Sequence, residues 1–467
     1  MSEKKRNVLS VLEHFSSEIW HSYFWIFIIL EKMEPKTLPG FMELLPQDQI
    51  LFNKIYDKIR KVYESFGFLP VDTPVLEYSE LLLAKAGGET EKQIYRFTKG
   101  DTDISMRFDH TVPLARYVSE HFNDLAFPFK RYAMNKVYRG ERNQKGRYRE
   151  FYQCDIDVIG NETLDLVYDA ELPAIIYKIF TELNFGDFVI KINNRKILNG
   201  FFENLELEDK ITDILRTIDK IDKIGRDAVR DELIQQDITY NASEQILDFI
   251  AITGSNEDVV EKLNNLNVES DTFNKGLEEL KQVLSYMRKF GIPEENFAIN
   301  LSIARGLDYY TGTVYETNLV KYPELGSICS GGRYDNLTSY YSNQHLPGVG
   351  ISIGLTRLFS QLQDIGLLEA SKKSIAKILV MTVGQDDLAY TLKVANGLRR
   401  AGLKVDTYYG DKNIKVKMKY ADKLGIPYAA IIGESEIENG TMTLKDMKTG
   451  EQIEVTIDEA IELVKGK

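Results

Sequence analysis

Between Ala304 and Glu316 the chain reads Arg305-Gly306-Leu307-Asp308-Tyr309-Tyr310-Thr311-Gly312-Thr313-Val314-Tyr315-Glu316. Thr313 to Thr317 is β-branched and aromatic, as a strand would be. The residues before it are a cation, two glycines, an acid and adjacent tyrosines. A buried strand avoids such a set, because buried charge and hydroxyl groups are costly unless paired. The stretch reads as a chemical surface. A second one runs from Lys130 to Glu150, with eight Lys or Arg against two Glu in an otherwise acidic chain. Its core is Tyr138-Arg139-Gly140-Glu141-Arg142-Asn143-Gln144-Lys145-Gly146-Arg147-Tyr148-Arg149-Glu150-Phe151. A solvated charged hairpin would account for the charge alone. The interleaved aromatics, and the glycines Gly140 and Gly146 bracketing a loop, favour phosphate chemistry instead. An arginine fork takes phosphate oxygens in pairs, and an aromatic such as Phe151 offers a flat surface to a base.

Three further stretches are candidates. In Arg107-Phe108-Asp109-His110-Thr111 the acid is either a ligand group or a helix N-cap with Thr111 inside the first turn. Gln153-Cys154-Asp155-Ile156-Asp157 alternates like a strand, so Gln153, Asp155 and Asp157 face one way. Gly348-Val349-Gly350-Ile351-Ser352-Ile353-Gly354-Leu355-Thr356-Arg357-Leu358 is a glycine-spaced strand running into a helix, a pattern common to many folds. In Ser330-Gly331-Gly332-Arg333-Tyr334-Asp335, Arg333 is either structural or near the site. His110 and His345 are expected to be core or surface residues rather than catalytic bases. Cys154 and Cys329 offer neither a disulfide framework nor a zinc spacing, so no metal-ligand cluster is expected.

These segments need elements to carry them. Asp48 to Phe66 has a helical apolar stripe (Ile50, Leu51, Ile55, Ile59, Val62, Tyr63) ended by Gly67. Phe68 to Leu76 is extended and holds Pro70 and Pro74, with a short helix following through Leu83. From Ile94 to Gly160 short strands and turns surround one helix near Thr111 to His121, which favours an antiparallel sheet. Lys196 to Tyr286 is helical and charged, an insertion between two chemical segments. Strands resume through Ile299 to Glu316, Gly331 to Asp335 and Gly348 to Gly354. From Lys377 onward, strand and helix alternate (Ile378–Val383, Leu388–Leu398, Leu403–Tyr409, Ile426–Ile432), which makes a small α/β unit. Lys412 to Lys419 alternates like a strand, yet Ile414, Met418, Ala421 and Leu424 keep helical spacing up to Gly425; it is predicted helical.

At 467 residues two or three domains are expected, and 43% apolar content supplies their cores. The net charge of −13 argues against a whole-surface nucleic-acid binder but leaves room for a basic patch. Residues 1–32 stand apart, holding both tryptophans. Their apolar run, Ile19 to Leu30, falls short of the roughly 20 residues that cross a membrane. No small-residue cleavage site follows it. Met33-Glu-Pro-Lys-Thr-Leu-Pro-Gly-Phe looks like a natural opening, so residues 1–32 are expected to come from an upstream start, with an interfacial anchor or an extra packing helix as the alternatives. A chain beginning at Met33 is then expected to keep full activity.

The Arg305 to Glu316 run closely resembles the histidine-specific signature of the histidyl-tRNA synthetases, class II aminoacyl-tRNA synthetases. The helix and Pro-bearing strand after Pro46 resemble class II motif 1, Tyr138 to Phe151 motif 2, and Gly348 to Leu358 motif 3. The resemblance covers Glu34 to the C-terminus. It implies an α+β fold: a class II antiparallel sheet flanked by helices over 33–365, with a helical insertion at about 196–290, and a C-terminal α/β anticodon-binding domain at 374–467. It implies ATP-dependent ligation of L-histidine to tRNA-His through a histidyl-adenylate, with ATP as substrate, Mg²⁺, a homodimer, a cytoplasmic setting and no membrane. By the same resemblance Arg305 and Arg139 are catalytic, and Arg139, Glu141, Arg147, Phe151 and Arg357 bind ATP. Gln144 approaches the tRNA acceptor stem. Asp109, Thr111, Gln153, Asp157, Tyr309 and Tyr310 bind histidine, with Asp157 and Tyr310 on the imidazole. The alternative is a catalytically inactive relative acting as a regulatory subunit or sensor; such relatives tend to lose the signature or the anticodon domain, and this chain keeps both.

Overall fold

The computed structural model describes residues 34–83, 89–141, 146–304, 309–335, 338–383, 388–410 and 412–466. Gln144 and Arg305, and the whole 1–32 segment, lie outside the described residues.

The apolar stripe after Pro46 forms a helix over Pro46–Ser65 with Pro46 at its first turn, where a missing N–H costs nothing. It buries Phe52, Ile55, Ile59, Val62 and Tyr63. Gly67, at φ +80°, turns the chain out of it. The strands that follow are β1 (Leu69–Pro70), β2 (Leu76–Tyr78), β3 (Arg96–Lys99), β4 (Thr102–Met106), β5 (Phe129–Tyr138) and β6 (Glu150–Ile159). Next come β7 (Phe188–Asn194), β8 (Phe297–Ile299), β9 (Thr313–Leu319), β10 (Cys329–Tyr334) and β11 (Gly348–Gly354).

Eight of these form one sheet in the order β1-β5-β6-β11-β10-β9-β7-β8, while β2, β4 and β3 form a separate small one. In the large sheet every pairing from β5 to β7 is antiparallel, and only the edge strands β1 and β8 pair parallel. Side chains alternate across it. Cys154, Ile156 and Val158 of β6 and Val349, Ile351 and Ile353 of β11 enter the main core on one face. Ile59 and Tyr63 of the first helix and Ile175, Ile176 and Ile179 of the helix Val167–Leu183 belong to that same core. The opposite face carries the polar residues at the alternate positions.

The predicted insertion is helical, with helices Arg195–Glu203, Ile211–Ile218, Ile221–Gln235, Tyr240–Ile250, Asn256–Asn264 and Asp271–Lys289. The strands expected through Ile299 to Glu316 are β8, ending at Ile299, and β9, beginning at Thr313. Asn300 Oδ1 accepts from the Ser302 amide (2.9 Å), and Asn193 Nδ2 holds the carbonyls of Leu301 and Ile303 (both 3.2 Å). Those bonds turn the chain away from the ladder.

After residue 377 a second sheet runs β13-β12-β14-β15-β16, with β12 Ile378–Thr382, β13 Val405–Tyr408, β14 Tyr428–Ile432, β15 Met442–Asp446 and β16 Gln452–Val455. The ambiguous lysine run is a helix, Ile414–Leu424, capped by the Asn413 side chain and closed by left-handed Gly425. The antiparallel pair β15 and β16 and the helix Ile457–Lys465 were not foreseen from periodicity. Among the described residues no helix is long and apolar enough to cross a membrane.

Candidate active site

The register of the large sheet builds the site. Gln153, Asp155 and Asp157 sit on one face of β6, opposite Gly354, Ser352 and Gly350 of β11. Ser330 and Gly332 of β10 continue the same rows. Glycine at 350 and 332 is a matter of room. A Cβ on Gly350 would lie 2.1 Å from Asp157 Oδ1, and one on Gly332 would lie 2.9 Å from the Tyr310 ring. The strands therefore open a floor onto which side chains from elsewhere fold. Asp155, Asp157, Ser330, Ser352, Tyr334, Tyr309, Tyr310 and Thr111 line one cavity there.

Each wall is held from outside. Asp157 is buried, paired with buried Arg131 (2.7 Å) and accepting from the Tyr334 hydroxyl (2.8 Å). Burial raises its pKa, and Arg131 opposes the rise. Asp155 is equally buried and accepts from Ser352 Oγ, which in turn accepts from Gln153 Nε2 (3.2 Å). Burial pushes Asp155 up to about 7. Asp109 is buried too, and Oδ1 takes the amides of Thr111 (3.1 Å) and Val112 (3.0 Å). It takes two first-turn amides of the helix Thr111–Glu120, whose N-cap position is His110, and lies near Arg139; those amides and that charge counter the desolvation that raises its pKa.

The Tyr309–Thr311 segment is fixed by Arg333. The Thr311 amide donates to the Arg333 carbonyl (2.8 Å), and the Arg333 guanidinium reaches back to fully buried Asp169 on the helix Val167–Leu183 (Nε to Oδ1, 3.0 Å). Arg333 is structural. Tyr309 packs edge-on against Tyr310 and Tyr334, with ring centroids 5.0 and 5.9 Å apart.

On the neighbouring side the Arg139 guanidinium lies 4.3 Å from the Phe108 ring centroid and 5.1 Å from that of Phe151. Desolvation lowers its pKa from the usual arginine value. Glu141 pairs with Arg147 (3.1 Å). Arg357 opens the helix Leu355–Asp364 and donates to the Leu325 carbonyl (2.9 Å). The Tyr152 amide donates to Thr356 Oγ1 (2.8 Å), so Phe151 and Arg357 each adjoin one contact. A buried guanidinium stacked against two phenyl rings, beside an acid- and hydroxyl-lined pocket, suits a phosphate-bearing nucleotide next to a small cationic or hydrogen-bonding ligand.

The chain matches known proteins in sequence and in fold. A family model described as Histidyl-tRNA synthetase matches residues 40–358, and one described as Anticodon binding domain matches 377–467. The chain belongs to the histidyl-tRNA synthetase family. It is 56% identical to the histidine–tRNA ligase of Clostridium tetani over 93% of this chain and 98% of that protein. It is 47% identical to that of Finegoldia magna over 93% of this chain and all of that protein. The crystal structure of histidyl-tRNA synthetase from a Nostoc species superposes with a TM-score of 0.84 at 45% identity, covering 93% of this chain and 100% of that one.

Sequence reasoning passed over Arg131, Tyr334, Ser330 and Ser352. Arg131 was visible only as one more basic residue, and its carboxylate partner is set by strand pairing (Arg131 opposite Asp157). His110 is buried, with Nε2 on the Asn135 carbonyl (3.2 Å) and its pKa pushed well below the usual value by desolvation. It is a neutral core residue.

Proposed function

We propose that this chain ligates L-histidine to tRNA-His in two steps at this site. A carboxylate oxygen of histidine attacks the α-phosphorus of ATP, and the bond to the β-phosphate oxygen breaks to release pyrophosphate. A ribose hydroxyl of the terminal adenosine of the tRNA then attacks the carbonyl carbon of the adenylate, losing its proton as AMP leaves. The observation that carries this reading is that the acid-lined pocket stands beside Arg139, stacked on Phe108 and Phe151 and within electrostatic reach of Asp109, Asp155 and Tyr309. Phosphoryl displacement needs positioning and charge neutralisation more than covalent help.

In this reading Asp109, Thr111, Gln153, Asp157, Tyr309 and Tyr310 hold histidine, with the imidazole against Asp157 and Tyr310. Phe151 lies under adenine, Arg139, Glu141, Arg147 and Arg357 surround the nucleotide, and Arg305 neutralises charge in the transition state. Gln144 meets the acceptor stem. Among the described residues no group of three or more His, Cys, Asp or Glu could hold a metal ion. Mg²⁺ would be carried mainly by ATP oxygens and water, with one or two carboxylates at most. When bound it would neutralise phosphate charge.

Residues 33–365 act as the catalytic unit and 374–467 as the anticodon-binding unit. A homodimer is supported by large apolar side chains left exposed around the first strands: Leu69 (57%), Leu76 (46%), Tyr78 (60%) and Phe97 (44%). Sedimentation at micromolar concentration should give twice the chain mass. A cytoplasmic setting follows from the tRNA substrate and the two buried free cysteines. The reading is tested by charging total tRNA with ATP, Mg²⁺ and each labelled amino acid in turn. Histidine alone should be incorporated; no incorporation by the folded protein would reject the activity.

A further inference from the structure

Asp155 is the one acid of the pocket floor to which the family resemblance gives no role. It projects from β6 on the same face as Asp157 and lines the same cavity. The two acids are compensated very differently. Asp157 has a cation and a phenol, one on each oxygen. Among the described residues, Asp155 has Ser352 Oγ as its sole hydrogen-bond donor and no cation within ion-pair distance. Next to it in the row, the side-chain carbonyl of Gln153 is buried without a partner.

A buried carboxyl with one neutral donor is stable as the acid and costly as the anion. A ligand bringing an N–H donor and partial positive charge to its free oxygen would reverse that preference. An imidazole ring is such a ligand, and it has two nitrogens to satisfy.

We propose that Asp155 is a second specificity-determining acid of this pocket, accepting a hydrogen bond from the histidine ring alongside Asp157. The inference rests on the histidine-activating function argued above. It also predicts a proton linkage. The groups that act on Asp155 are Arg131 of β5, Asp157 and Cys154 of its own strand, Asp109 from the segment before the helix Thr111–Glu120, Tyr310, Cys329 of β10, Tyr63 of the helix Pro46–Ser65 and Arg139. Two cations, two further acids and four weak acids leave desolvation dominant, and Asp155 gives up its proton at about pH 7. Below that pH the wild type presents a neutral carboxyl there, much as an amide would be. Above it, the wild type presents an anion.

The test is histidine-dependent ATP–pyrophosphate exchange by wild type and Asp155→Asn from pH 5.5 to 8.5. The ratio of their kcat/KM values for histidine cancels the titration of the free amino acid, which is common to both. The ratio should rise from near one at low pH to about 10-fold or more at high pH, as loss of a charged hydrogen-bond partner implies. Its midpoint should fall near 7, with the KM for ATP unchanged. A purely structural Asp155 gives a ratio that is flat with pH, or equal losses for ATP and histidine, and either result overturns the proposal. Should the variant fail to fold, infrared difference spectra of the wild type on histidinol addition at pH 6.5 decide: a protonated-carboxyl band should vanish, and its persistence refutes the role. Wild type that activates a different amino acid would reject the function itself and this inference with it.

Discussion

Replacing Asp169 by Asn should destabilise the catalytic unit far more than its distance from any substrate group suggests. Asp169 is fully buried, and Arg333 is 6% exposed. Their bond is bidentate, Nε and Nη2 of the guanidinium both reaching the carboxylate. The Asp169 carbonyl also accepts from buried Tyr315 (2.6 Å). Asn keeps the shape and removes the charge, leaving a guanidinium in a site that water does not reach. Breaking a buried pair from one side costs about 3–5 kcal/mol. At roughly 2 °C per kcal/mol for a unit of this size, the melting transition should fall by about 6–10 °C. Arg333→Met should cost a similar amount. The double variant Asp169→Asn/Arg333→Met should lose less than the sum of the two singles, because it leaves no unpaired charge. The histidine KM should rise in both singles, since the Thr311 amide hangs on the Arg333 carbonyl. Thermal melts and pyrophosphate exchange on the four proteins make the cycle. Additive losses, or a single-variant change below about 1 kcal/mol, would refute the buried-charge reasoning.

Three other outcomes are expected. Arg305→Ala should lower histidine activation by about 10²-fold or more, as loss of a transition-state charge partner does; an unchanged single-turnover rate of adenylate formation rejects its role. Gly350→Ala should drive Asp157 off Arg131 and Tyr334, costing about 1–3 kcal/mol and raising the histidine KM, because its Cβ would meet Asp157 Oδ1 at 2.1 Å. Stability and kinetics on that one variant check both. Finally, Asp155→Asn should be the more stable protein at pH 8 and equal to wild type near pH 4. The folded carboxyl holds its proton up to about 7, so its contribution is fully present below the unfolded value near 4 and is lost as pH rises. Across about three pH units the upper bound is about 4 kcal/mol. Urea titrations at the two pH values measure it, and a less stable variant at pH 8 would contradict the desolvated-acid assignment.

Much of this protein is legible from its residues in order. Local periodicity sets the helix Pro46–Ser65, the alternation of β6 and the helical insertion, because burial of one face at a fixed period is a property of neighbouring residues. Even the lysine-rich run at 412–424 resolves correctly, since Asn413 and Gly425 are a cap and a stop in the chain itself. The chemical segments likewise announce themselves by residue types that a core would refuse.

What the chain order does not determine is partnership. Asp155 and Asp157 are two residues apart on one strand face and look equivalent in sequence. One meets Arg131 of β5 and Tyr334 of β10; among the described residues the other takes its hydrogen bond from a serine of β11. Arg333 is undecided by sequence because its partner, Asp169, is 164 residues away. Sequence determined which groups can do chemistry and which elements carry them. Register and packing decided which charges are compensated, and in a medium of low dielectric that compensation sets both protonation and role.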